Sequence, residues 1–372
     1  MRRMRLVFWW CLSALSVLSS GLANGRGCQT SVARALPYCD GSLSVLERVR
    51  DLSSRLSVEE LAVRLTSGSV SPSVDRLGLP AQNYRIEAVH GLEAYCVETS
   101  DGFRACPTYM PITQGLAATF NRSVFSAFGT VVGEEARAWT NLKGLGKGRK
   151  PMGASVRCPM VNLLRDPRWG RSDESPSEDP LLTAEFGKAV VRAVQARDDA
   201  GLLLAAAEVK HFAAYTLETN WAHEADGRKG YSANVSSFDW SDSYVVPFAA
   251  TLGPDEGGAL SYMCSYNAIN GTPSCANTFL SSALARGRWH LRGFVESDCD
   301  AVGDLDDKYH LAADAADATA VALDAGTDLD CGDTFHKGLE AAVRANATSV
   351  AVARRAFERA MQGSTRVRKS HL

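Results

Sequence analysis

Phe294-Val-Glu-Ser-Asp-Cys-Asp-Ala-Val302 opens on a short strand pattern, residues 294–296, and then delivers a carboxylate, Asp298. The same order, an apolar run followed by polar residues, recurs along the chain. Residues 84–88 form a strand pattern that carries Glu87. Residues 156–163 run into the segment from Asp166 to Arg171, residues 205–209 into Lys210-His211, and residues 260–264 into Tyr266. Helical patterns stand between or after these runs. Residues 44–67 contain two capping-box signatures, Ser44 with Glu47 and Ser57 with Glu60, which predict two helices. Residues 123–141 place Phe125, Phe128, Val132 and Trp139 at helical spacing. Residues 183–196, 311–325, 334–344 and 349–362 follow suit.

Strands alternating with helices predict a parallel sheet with crossover connections. At 372 residues an α/β chain of this kind is expected to form a (β/α)8, TIM-like barrel as a single domain. A doubly wound open sheet is the alternative. In a barrel the C-terminal strand ends converge on one face, so polar residues far apart in sequence meet there. In an open sheet they would spread along an edge. The polar motifs favour the barrel.

Composition bounds the partners. Hydrophobic residues make up 45% of the chain, enough for a large core, and the net charge is only -2. Nucleic acid and anionic membranes are therefore not expected as partners. Residues 1–23 have the form of a signal peptide: Arg2, Arg3 and Arg5, then an apolar run to Leu18, then Gly21-Leu22-Ala23. The run is short against the ~20 apolar residues of a membrane span. Secretion without a membrane anchor is the expectation. A polar leader over residues 24–36, a barrel domain over 37–362 and a basic tail over 363–372 complete the division.

Ten cysteines suit an oxidising compartment. Cys11 belongs to the signal segment. Cys28 with Cys39, Cys96 with Cys106 and Cys264 with Cys275 are near enough for local bridges. Cys299 and Cys331 are expected to pair across adjacent strands, which leaves Cys158 over. Spacing alone does not fix this connectivity. No paired ligand spacing points to a metal, and no cofactor is expected. Sequons at Asn121, Asn234, Asn270 and Asn346 fit secretion. The Gly- and Lys-rich residues 144–153 are expected to be a surface loop.

Each polar motif has a plain structural reading beside a chemical one. A carboxylate at a strand end, Asp298, can attack an anomeric carbon; a turn or helix-cap aspartate is the ordinary alternative, with Asp300 next to it. Lys210 and His211 together offer donors to two vicinal hydroxyls; a surface lysine beside a half-buried histidine is the alternative. Arg171 lies in Arg165-Asp-Pro-Arg-Trp-Gly-Arg171, rich in ions and followed by Glu174 and Glu178. It can grip a hydroxyl or staple its own loop. Glu87 can accept from adjacent hydroxyls or pair with a nearby arginine. Tyr266 can orient the nucleophile or pack in the core. The acidic cluster Asp304, Asp306 and Asp307 lacks the turn and distal Glu of a calcium loop and is expected to be a solvated face.

Taken in order, Ile-Glu-Ala-Val-His-Gly, Arg-Asp-Pro-Arg-Trp-Gly-Arg with Glu-Ser-Pro-Ser-Glu-Asp-Pro, Lys-His-Phe, Met-Cys-Ser-Tyr-Asn and Ser-Asp-Cys-Asp-Ala-Val resemble glycoside hydrolase family 3 over residues 37–362. The resemblance implies a retaining O-glycosyl hydrolase acting on a β-linked oligo- or polysaccharide. It implies Asp298 as nucleophile and Glu87, Arg171, Lys210, His211 and Tyr266 as substrate-binding residues. Glu87, with Ser-Asp-Cys-Asp, is similar to the β-xylosidase and arabinofuranosidase branch. A carboxylate of that length fills space that a C6 hydroxymethyl would need, so a pentose is the expected sugar. The family's general acid/base Glu stands on a second α/β sandwich domain that the motifs here do not contain. The reading therefore expects an impaired or purely sugar-binding barrel as the alternative. It also expects a homodimer or a separate chain covering the exposed barrel face. Glu174, Glu178 and Glu218 are the conceivable stand-ins for the acid.

Overall fold

The computed structural model describes residues 28, 31–68, 70–84, 86–98, 102–141, 155–218 and 227–367. The signal-peptide reading of residues 1–23 and the loop reading of residues 144–153 lie outside them. So do residues 24–27 and 29–30 of the leader and residues 368–372 of the basic tail.

The centre of the molecule is a four-stranded parallel sheet whose strands lie side by side in chain order: β1 (Ser155–Val156), β2 (Ala206–Phe212), β3 (Ser261–Cys264) and β4 (Phe294–Ser297). Every step between neighbours is parallel, so each return needs a crossover. Helix Pro180–Val194 lies between β1 and β2, helix Val246–Leu252 between β2 and β3, and Phe279–Arg288 between β3 and β4. Single parallel bridges extend the ladder at both edges. Glu87 pairs with Arg157 beside β1; Leu329 pairs with Glu296 beside β4, and Thr66 with Asp330 beyond it. The chain is thus α/β with a parallel sheet.

Local sequence explains the elements. Ser44 and Ser57 each close a capping box, and helices Val45–Arg55 and Val58–Arg64 follow them. Asp179 caps Pro180–Val194 through the amides of Leu181 and Leu182. β2 and β4 are buried along their whole lengths, as strands covered on both faces must be. At the entry to β4, Gly293 has no Cβ, and one built there would lie 1.7 Å from the Leu260 carbonyl oxygen. Only glycine lets these two strands begin so close together.

Two expected strands are shorter than their apolar runs. Among the described residues of 84–88 there is no strand, only the bridge at Glu87. The run 156–163 contributes Ser155–Val156 and a bridge from Met160 to Lys210. Pro159 between them has no amide to donate, so the ladder breaks there. The last helix, Val350–Val367, continues past Gln362 into the stretch expected to be a tail. Val367 is buried with Leu203, Ala206 and Leu260, and its carbonyl accepts from Arg137 at 2.6 Å. Of the expected polar leader, residues Ser31–Arg34 form a helical turn whose Ala33 is buried in the core.

Two apolar cores flank the sheet. One gathers Phe125, Phe128, Phe186, Phe212, Phe248 and Tyr262. The other packs Leu52, Leu61, Phe294, Phe335, Leu339 and Phe357. Inside the sheet the packing is ionic. Glu208 and Glu296 are both fully buried, and Arg157 donates to Glu296 at 2.5 Å. Burial, and then the Glu296 carboxylate, push Glu208 well above the ordinary carboxylate range. All four expected disulfides are present, and Cys158 is free and buried.

Candidate active site

The ends of β2 and β4, the turn after Glu87 and the loop around Arg171 meet at one cavity of about 610 Å³. Its lining includes all six residues singled out from the sequence: Glu87, Arg171, Lys210, His211, Tyr266 and Asp298. Long-range pairing along the sheet does this. Asp298 leaves β4 immediately after Ser297, and Lys210 and His211 lie on the last turns of β2's pleat. The Lys210–His211 and Phe212–Ala213 peptide bonds are cis.

Asp298 is 8% exposed. Its Oδ1 accepts from the Cys299 amide at 2.8 Å. Its Oδ2 accepts no hydrogen bond among the described residues and lies 3.6 Å from His211 Nε2. Burial raises the Asp298 pKa, and Arg171 is the strongest of the cations that oppose the rise. Burial, followed by Arg171 and Lys210, holds His211 well below its usual pKa. The ring is therefore neutral at neutral pH, and its contact with Asp298 is not an ion pair. Asn162 holds this residue: its Oδ1 accepts from the His211 backbone amide at 2.8 Å and lies 3.4 Å from the ring Nδ1. Burial, and then the Asp298 carboxylate facing it, push the Tyr266 hydroxyl above its ordinary range.

The remaining polar groups form a closed set of ion pairs. Lys210 Nζ reaches Glu87 at 2.8 Å and Glu174 at 3.7 Å. Arg171 grips Glu174 through two parallel bonds of 2.6 and 2.9 Å. Arg157 reaches Glu87 at 3.3 Å. Burial works against the charge on Glu87, but Lys210 and Arg157 hold its pKa down to about 2. Glu87 and Arg171 each make the salt bridge of their structural reading, and each also lines the cavity.

Sequence reasoning passed over several residues that build this site. Arg157 sits in an apolar run, and its link to Glu87 and Glu296 has no local signature. Tyr215 packs edge-on to His211 at 5.1 Å and lies under the Arg171 guanidinium at 5.7 Å. Arg228 and Lys229 stand over the Tyr266 ring at 4.5 and 5.1 Å. One expectation is corrected. Asp304, assigned to a solvated face, is buried and pairs with Lys229 at 3.4 Å. Burial raises it to about 6 against that lysine. Of the three conceivable acids, Glu174 is tied to Arg171 and Lys210, and Glu218 accepts from Arg228 at 2.6 Å. Glu178 is exposed and does not line the cavity.

The fold and these residues identify the class. Residues 88–362 match the glycosyl hydrolase family 3 N terminal domain, and the chain belongs to that family. Among its relatives is "Beta-xylosidase/alpha-L-arabinofuranosidase 1" from Medicago sativa subsp. varia, 39% identical over 298 residues, which are 79% of this chain and 37% of the relative. "Beta-D-xylosidase 1" from Arabidopsis thaliana is 36% identical over 346 residues, 91% of this chain and 42% of the relative. A solved exo-beta-xylosidase of the family, in complex with a xylobiose aziridine activity-based probe, superposes with a TM-score of 0.82 at 32% identity. That alignment covers 92% of this chain and 43% of the other. The chain spans about two fifths of the length of these relatives.

Proposed function

We propose that this chain is the glycone-binding, nucleophile-bearing barrel of a retaining β-xylosidase-like O-glycosyl hydrolase. In this reading the parallel ladder from Glu87 to Thr66 closes into a (β/α)8 barrel over residues 37–362, and the cavity is its C-terminal mouth. Glu87, Lys210 and His211 bind the ring hydroxyls of a pentose. Arg171 holds a further hydroxyl and favours the ionised form of Asp298. Tyr266 orients the carboxylate.

The observation that carries the reading is the convergence of Asp298 with Arg171, Lys210, His211, Glu87 and Tyr266 on one cavity. The Cys299 amide fixes one oxygen of Asp298, and the other lies 3.6 Å from His211 Nε2. Attack by the Asp298 carboxylate forms the Asp298–anomeric carbon bond as the bond to the leaving oxygen breaks. Water then cleaves the glycosyl ester and regenerates the carboxylate. Proton delivery to the leaving oxygen calls for a second carboxyl group about 5–5.5 Å from the first. None of Glu174, Glu178 and Glu218 is suited: two are held by cations and one faces solvent. We assign the acid to a group outside the residues described, on this protein or on a partner covering the barrel face. Four disulfides and the N-terminal segment support secretion.

The test is covalent labelling. A 2-deoxy-2-fluoro xylosyl fluoride needs no acid assistance, so the barrel's own groups should form the adduct. Intact mass should rise by one fluoroxylosyl group, and peptide mapping should put it on Asp298. An unlabelled chain that still binds xylose would leave only a sugar-binding barrel.

A further inference from the structure

We propose that Tyr109, with His90 beside it, is a stacking platform for the second sugar of the substrate, on the leaving-group side. The proposal rests on the reading of Glu87, Lys210 and Asp298 as the site of the first sugar. Lys210 and Asp298 are buried and Glu87 is part-buried beside them, so we place the leaving sugar toward the more exposed lining. Tyr109 lines the same cavity and is 79% exposed, and the His90 and Tyr109 rings lie 5.6 Å apart, tilted at 45°. The flat carbon-bearing face of a pyranose packs well on such a ring, which supplies apolar contact while its polar tip stays wet.

An exposed tyrosine on a loose loop would carry no such inference. This one is fixed from four directions. The Cys96–Cys106 disulfide closes its segment. The Thr108 amide and hydroxyl are bound by Glu135 at 2.9 and 2.6 Å. The Met110 amide donates to His90 at 2.9 Å. Gly91, at φ +121°, lies so close to the loop that a Cβ there would sit 2.3 Å from the Thr108 carbonyl oxygen. The Glu93 amide in turn donates to the Glu87 carbonyl at 2.8 Å, which ties this wall to the floor. A ring with its backbone held in place loses little freedom on binding. The exposed carboxylates of Glu93 and Asp173, also on the cavity lining, offer acceptors to the hydroxyls of the same sugar.

Titration calorimetry with xylobiose and with xylose separates the two subsites. Tyr109→Ala should weaken xylobiose binding about five- to tenfold and xylose binding less than about twofold. Tyr109→Phe should keep most of the difference between the sugars. Equal effects of Tyr109→Ala on both sugars, or on neither, would overturn the platform. So would a wild-type chain that binds xylobiose no better than xylose. Labelling of Asp298 by the fluoro-sugar is read in parallel. If Asp298 stays unlabelled while xylobiose binding still depends on Tyr109, the nucleophile assignment fails and the platform stands.

Discussion

Asp298 is a carboxylate under two opposed influences, burial that favours its proton and Arg171 that favours its charge. A raised pKa means Asp298 is ionised, as the proposed attack requires, only at higher pH than an ordinary aspartate of pKa about 3.9. The labelling rate should therefore rise with pH to a midpoint above that value. Arg171→Met should move the midpoint higher still, and Asp298→Asn should abolish the adduct; a pH series of fluoro-sugar labelling measures all three. Asp298, Lys210 and His211 were legible because each polar residue follows an apolar run, an order that locates a strand end. Arg157, among apolar neighbours, and Glu296, inside a strand pattern, were not, because their partners are distant in sequence. They form a second, buried device. Burial, and then the Glu296 carboxylate, push Glu208 beside them toward its protonated form. Glu208→Gln, neutral and of the same shape, should change stability by less than about 1 kcal/mol, whereas Arg157→Met should cost about 3–5 kcal/mol by stranding Glu296. Urea unfolding of both variants decides this.

The strands meet at contacts too close for side chains, and Gly293 is the sharpest case. Gly293→Ala would force a methyl into the Leu260 carbonyl, which neither strand can avoid without losing its pairing. The expected loss is more than about 4 kcal/mol, seen as a large drop in Tm or as insoluble protein. Elements with a clear period or a cap were legible: the two capping-box helices, Arg122–Asn141 and Thr334–Arg344 fall where the pattern put them. Phe279–Arg288 was missed because it is π-helical, so its buried residues do not recur at the 3.6-residue spacing that a search for helices uses. The strand at 156–163 was overread because burial continues through Pro159 although pairing does not.

Across the whole molecule, a large core was implied by the composition, but its division into two apolar clusters and the ionic packing within the sheet were not. It depends on which helix lies over which strand, and that is fixed by packing. Disulfide spacing carried more: three bridges close the short loops their separations suggested, and the fourth ties Cys299, next to Asp298, to Cys331, the pairing expected across adjacent strands. Cys158 is left over. With eight of the described cysteines bridged, it is a solitary sulfhydryl sealed under Lys210 and Glu87, where burial pushes it up to about 12. It cannot meet an alkylating reagent until the sheet parts around it, so it is a built-in clock for opening of the sheet. In a Cys11→Ser background, mass-detected modification by iodoacetamide should be negligible over hours, accelerate steeply as denaturant approaches the unfolding midpoint, and slow when a sugar adduct locks the floor above it. Rapid modification in plain buffer would mean that the sheet breathes far more readily than its packing implies.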